Sequence, residues 1–147
     1  MLVSLVIVSL LIEGASSAEQ PKYGGTMIVA LPGDPAHLNG CITTAAVEQQ
    51  VADQMLNSLV DINLNMEYVP RGLAESWVIS SDGKTYRFNL VRNATWHDGK
   101  PFTAADVKFT LEMAKKYNLS ASLKDLIGIE TPDDYTVIVK LTAASTN

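Results

Sequence analysis

Residues 72–116 constrain the fold more than any other part of the chain. They run Gly-Leu-Ala-Glu-Ser-Trp, then Asp-Gly-Lys-Thr-Tyr-Arg-Phe-Asn-Leu, then Trp-His-Asp-Gly-Lys-Pro-Phe-Thr-Ala-Ala-Asp-Val. Turn formers alternate with apolar runs, which predicts strand, tight turn, strand, second turn and capped helix. The first strand spans residues 74–79 and stops at Ser80-Ser81-Asp82-Gly83. Asp-Gly between apolar runs marks a hairpin, because glycine adopts the positive φ that such turns need. On the return strand Tyr86, Phe88 and Leu90 share one face, and Thr85, Arg87 and Asn89 share the other. His97-Asp98-Gly99-Lys100-Pro101 turns the chain again. Thr103 then stands three residues before Asp106, a capping-box-like start with Asp in place of the usual Glu. Val107, Leu111 and Ala114 follow on one helical face.

The flanking segments extend this pattern. Residues 19–25 form a polar leading segment, and residues 26–31 are a short β-prone run bounded by Pro32-Gly33-Asp34-Pro35. Residues 45–59 have helical spacing, with Val47, Val51, Met55 and Leu59 in one stripe and Glu48 complementing the dipole in the first turn. Residues 61–69 predict strand and loop, bending at Asn63-Leu64-Asn65. Residues 126–130 and 135–141 predict two strands about a Thr131-Pro132-Asp133-Asp134 turn. In the second of them Tyr135, Val137, Val139 and Leu141 alternate with polar or smaller residues. The local reading is an α+β unit, a small antiparallel sheet with helices against it.

A formal charge of −5 and the lack of any Lys/Arg cluster argue against nucleic acid as a partner. Residues 1–12 are apolar apart from Ser4 and Ser9, too few to span a bilayer, which takes about 20. Ala15-Ser16-Ser17-Ala18 follows, which suits signal cleavage before Glu19. No Lys or Arg precedes the apolar run, so a start further upstream and an uncleaved anchor stay open as alternatives. Cys41 is the only cysteine; it forms no internal disulfide and is expected to pack as a small buried hydrophobe.

Four pieces of this sequence together resemble the family 5 extracellular solute-binding proteins, the peptide- and nickel-type substrate-binding components of ABC transporters. They are Gly72-Leu73-Ala74-Glu75-Ser76-Trp77, Asp82-Gly83-Lys84-Thr85-Tyr86-Arg87-Phe88, Trp96-His97-Asp98-Gly99-Lys100-Pro101-Phe102 and Thr103-Ala104-Ala105-Asp106-Val107. One departure is that Val91 separates Leu90 from Arg92, where the family has a basic residue directly after the leucine. The resemblance implies the N-terminal part of a longer, two-lobed type II periplasmic-binding-protein fold, of α+β and α/β character. Its expected divisions are a signal peptide at residues 1–18, a first strand of lobe I within residues 19–43, and an inserted subdomain at residues 44–147. The expected function is that of the ABC importer's binding component, in the periplasm or outside the cell. It would hand a peptide or similar small solute to membrane permease subunits, with no cofactor. One lobe without the other is expected to bind its solute weakly.

No catalytic constellation stands out: there are two histidines, one cysteine and no nucleophile–base motif. The expectation is therefore a binding protein and not an enzyme; a ligand-sensing receptor and a peptide hydrolase are the alternatives. His97-Asp98 reads as a polar turn bonding local backbone, His37 as a surface-loop residue, and Trp77 and Trp96 as packing residues. The candidate ligand contacts are Cys41, Ile42, Thr43, Thr44 and Ala45, following Asp34-Pro35 and Leu38-Asn39. The resemblance gives this segment the role of lining the cleft with backbone groups and small hydroxyls. Main-chain hydrogen bonds of that kind hold a peptide without reading its sequence. Thr43 and Thr44 also suit a helix cap, and the two readings stand side by side.

Overall fold

The computed structural model describes residues 23–42 and 45–144; the expected signal segment, most of the leading segment, and Thr43 and Thr44 lie outside the described residues. The chain divides into two compact units, Met1–Ala30 and Leu31–Asn147. In the first, the described residues 23–30 are irregular and exposed, with Gly24 and Gly25 at φ +86° and +98°. The strand expected over residues 26–31 is not formed among the described residues. β-propensity alone makes no strand, because a strand's backbone groups need a neighbouring ladder.

The second unit contains α1 (Ala46–Met55), β1 (Asp61–Ile62), β2 (Tyr68–Val69), β3 (Ala74–Ile79), β4 (Thr85–Leu90), α2 (Ala104–Lys116), β5 (Leu126–Asp133) and β6 (Thr136–Leu141). β1 and β2 make a small antiparallel ribbon. The other four strands form one antiparallel sheet in the order β3-β4-β6-β5. The expected hairpin is present, with Trp77 opposite Phe88 and Ile79 opposite Tyr86. Gly83 sits at φ +67°, and its N–H donates to the Ser80 carbonyl at 2.9 Å to close the turn. Phe88 pairs in turn with Val137, and Tyr86 with Val139, so the period-two faces of three strands coincide.

α2 covers the β5–β6 half of that face. Between helix and sheet lie Leu90 (1% exposed), Val137 (0%), Phe102, Ala104, Val107, Leu126 and Ile129. Burying a Leu or Val side chain in this way contributes on the order of 2 kcal/mol each before entropy is counted. The Asp106 carboxylate accepts hydrogen bonds from the Thr103 N–H at 2.8 Å and the Thr103 hydroxyl at 3.1 Å, which anchors the helix start as expected. At the other end Lys115 Nζ donates to the Leu126 carbonyl, tying the last turn to β5.

Two boundaries depart from the sequence reading. β5 continues through Pro132 to Asp133, and the reversal falls at Asp134 and Tyr135. The register slips between Glu130 and Asp133, and β5 is an edge strand; bulges and edges are where a strand tolerates proline. α1 stops at Met55, and its buried residues are Glu48 and Ala52, off the expected Val47–Val51–Met55 stripe. Leu59 lies beyond the helix, packed against the main core. No extensive packing joins α1 to another element among the described residues, so its burial is set by the loop that precedes it. Among these residues no helix is long and apolar enough to cross a membrane.

Candidate functional site

Residues 32–42 approach α1 without regular structure, and local polar chemistry shapes them. The Asn39 side-chain oxygen accepts the Cys41 N–H at 3.0 Å, and the Asn39 carbonyl accepts the Ile42 N–H at 3.3 Å. Asn folds the backbone onto its own side chain readily, which explains its place here. Gly40 lies flat on the helix: a Cβ there would come within 3.0 Å of the Ala52 Cβ. Glu48, only 9% exposed, accepts the Ala36 N–H through Oε1 at 3.1 Å. That N–H, then the N–H of Glu48 itself, holds the carboxyl below its ordinary range against the opposing effect of burial, with a smaller contribution from His37. The sequence marked Glu48 only as a dipole partner; its bond to a residue twelve positions earlier had no local signature.

Of the candidate contacts, the described Cys41, Ile42 and Ala45 are exposed. Cys41 is exposed with a free thiol, correcting the expectation of a buried one; a loop pinned by its backbone leaves the side chain outside. Ile42 is 52% exposed. Ala45 is the N-cap residue of α1, at φ −78° and ψ 134°, so the cap position falls one residue past the threonines expected to fill it. Thr43 and Thr44 lie outside the described residues. His37 is exposed, as expected of a surface loop.

At the opposite end of α1, His97 Nε2 lies 3.1 Å from the Met55 carbonyl oxygen. A carbonyl only accepts, so Nε2 carries the hydrogen. His97 thus serves a helix C-terminus 42 residues away and not the local backbone, which corrects the turn-only reading. Asp98 does bond locally, accepting the Lys100 N–H at 3.1 Å and pairing with Lys100 Nζ at 2.7 Å. Trp96 is 41% exposed and meets Phe102 edge-on at 6.1 Å. Trp77 is half-buried beside Phe88. Arg92, displaced by Val91, places its guanidinium 4.5 Å above the Tyr135 ring.

An open cavity of about 300 Å³ lies between the end of α1 and the start of β3, lined by Asp53, Asn57, Ser58, Asp61 and Arg71 among others. Its polar lining had no motif in the sequence. Among the described residues no group of three or more His, Cys, Asp or Glu could hold a metal ion.

Residues 67–147 match the family described as bacterial extracellular solute-binding proteins, family 5 Middle. The chain belongs to this family. A Brucella ovis protein named as an ABC transporter peptide-binding protein is 41% identical over 87 residues, 56% of this chain and 16% of that protein. The dipeptide-binding protein of Escherichia coli is 34% identical over 97 residues, 61% of this chain and 18% of its own length. The chain therefore spans less than a fifth of these relatives. The crystal structure of the ABC transporter substrate-binding protein CtaP from Listeria monocytogenes superposes with a TM-score of 0.70 at 30% identity, covering 85% of this chain and 26% of CtaP. This likeness assigns the antiparallel sheet and its helices to part of a type II binding-protein fold.

Proposed function

We propose that the whole protein is the substrate-binding component of an ABC import system, taking up peptides or similar small solutes outside the membrane. The observation that carries this reading is the family match, together with relatives named for peptide and dipeptide binding. In the same reading the segment of Cys41, Ile42, Thr43, Thr44 and Ala45 forms part of one wall of the ligand cleft. The exposed side chains of Cys41 and Ile42, at the end of a loop that Glu48 holds to α1 through the Ala36 N–H, fit that use. The division into residues 1–18, 19–43 and 44–147 belongs to this proposal too.

The mechanism is capture and not turnover. A solute that touches both walls of a cleft only when they close shifts the equilibrium toward the closed state, which a permease can then recognise. No bond is made or broken, and the protein is not an enzyme in this reading. Mass spectrometry of the solute that co-purifies with the whole protein tests it. An intact peptide supports peptide import. Recovery of cleaved products from a defined peptide would point to a hydrolase.

A further inference from the structure

The solute-binding reading leaves open how a loop with no regular structure holds a fixed position, and the two ends of α1 answer this. The helix shares no extensive packing with the sheet. Its first turn grips the loop through Glu48 Oε1 and the Ala36 N–H, with Gly40 seated on Ala52. Its last carbonyl, on Met55, is met by His97 Nε2 from the turn that precedes α2. The chain just past α1 is also held to the sheet, the Ser58 and Leu59 carbonyls accepting the Leu73 and Ala74 N–H groups at 2.9 and 2.8 Å. Glu48 and Met55 are separated by about 10 Å of helix rise. A helix keeps that length because every residue between is hydrogen-bonded, so whatever orients one end orients the other.

We propose that α1 is a strut and that Glu48 and His97 are positioning residues for the loop of residues 36–42, which carries Cys41 and Ile42 of the ligand wall. Glu48 joins the wall to the strut, and His97 aims the strut from the sheet. Neither side chain need touch the solute. Leu56 is bonded to the helix through its N–H and the Ala52 carbonyl at 2.8 Å, so the backbone anchor at residues 58–59 leaves the pivot at residue 57, and the His97 bond restrains it. The proposal rests on the solute-binding reading only for the word ligand; the mechanical claim stands on these contacts.

Residues 1–147 hold an exposed thiol at Cys41 and two tryptophans, Trp77 and Trp96, and in the whole protein a background with any other cysteine or tryptophan replaced makes them the reporters. Time-resolved energy transfer from the tryptophans to an acceptor dye on Cys41 reads the distribution of loop positions relative to the sheet. Wild type should give one narrow distribution for each tryptophan. Glu48→Ala and His97→Ala should each lose it and give a broad one, with the cooperative melting of the sheet unchanged. Glu48→Gln keeps an accepting oxygen and His97→Gln keeps a donating N–H, so both should stay narrow. Narrow distributions in both alanine variants would overturn the proposal. So would broadening that comes only with loss of the folded sheet, which would make these residues part of the fold's stability instead. Adding Ala-Ala-Ala separates this claim from the functional one. If the tripeptide leaves the wild-type signal unmoved while the alanine variants remain broad, the strut holds and the peptide reading fails at this site.

Discussion

A Cβ placed on Gly72 would lie 2.3 Å from the carbonyl oxygen of Ser58 and 2.8 Å from that of Leu59. Glycine at this position lets the backbone entering β3 pass directly over the segment that leaves α1. The next residue, Leu73, donates its N–H to the same Ser58 carbonyl at 2.9 Å. Neither partner can yield, since both are backbone. Gly72→Ala should therefore destabilise the protein by about 2 kcal/mol or more, the cost of forced overpacking. A denaturant melt compared with wild type checks this.

Gly83 is required for a different reason. Its φ of +67° is a conformation that side-chain-bearing residues seldom adopt, and a Cβ there would also come within 2.9 Å of the Ala144 Cβ. Gly83→Val should cost on the order of 1–3 kcal/mol through strain, without altering solute affinity per folded molecule. Thermal melting and calorimetry on the same preparation check the two halves of that statement.

At the start of α2 the carboxylate of Asp106 satisfies both the N–H and the hydroxyl of Thr103. Asp106→Ala removes both bonds and an acidic group from the positive end of the helix, and should destabilise by about 1 kcal/mol. Thr103→Ser keeps the same bonds and should melt close to wild type.

The hairpin, the turns and α2 were legible because their signals are local: Asp82-Gly83, the alternation of Tyr86, Phe88 and Leu90, and the Thr103–Asp106 spacing each act within a few residues. The α1 boundaries and buried face were not. Val47, Val51 and Met55 have helical spacing, yet what buries Glu48 and Ala52 is a loop that folds back from residues 36–40. The His97–Met55 bond spans 42 residues and leaves no trace in either local sequence. Cys41 was misplaced for the same cause: an apolar side chain in a loop is buried only if some other element covers it. For the candidate wall, the sequence supplied its position through the resemblance, and the structure supplied the contacts that hold Cys41 and Ile42 in place.

Four carboxyl groups should set the acid sensitivity of the fold. Asp82 is held below its ordinary 3.8 by the Ser80 hydroxyl, Asp98 by the Lys100 side chain, Asp133 by the Tyr135 N–H, and Glu48 below 4.5 by the Ala36 N–H. Each is depressed in the folded state, so its stabilisation is present above the unfolded value and is lost as pH falls through the folded one. The melting temperature should therefore hold steady down to about pH 4.5 and decline below it. Asp82→Asn should flatten part of that decline. A melting temperature that rises on acidification below pH 4.5 would contradict these shifts.

In the proposed function, residues 41–45 face a captured peptide that is bound and not cleaved. Cys41 gives direct access to it, as an exposed thiol within this segment whose labelling is read on its own peptide by mass. The measurement is the alkylation rate of Cys41 in the whole protein, with and without a defined mixture of di- and tripeptides, followed by mass analysis of the peptides. Saturating peptide should slow alkylation and be recovered at its original mass. An alkylation rate indifferent to bound peptide, or peptides returned shorter than they were added, would overturn this reading.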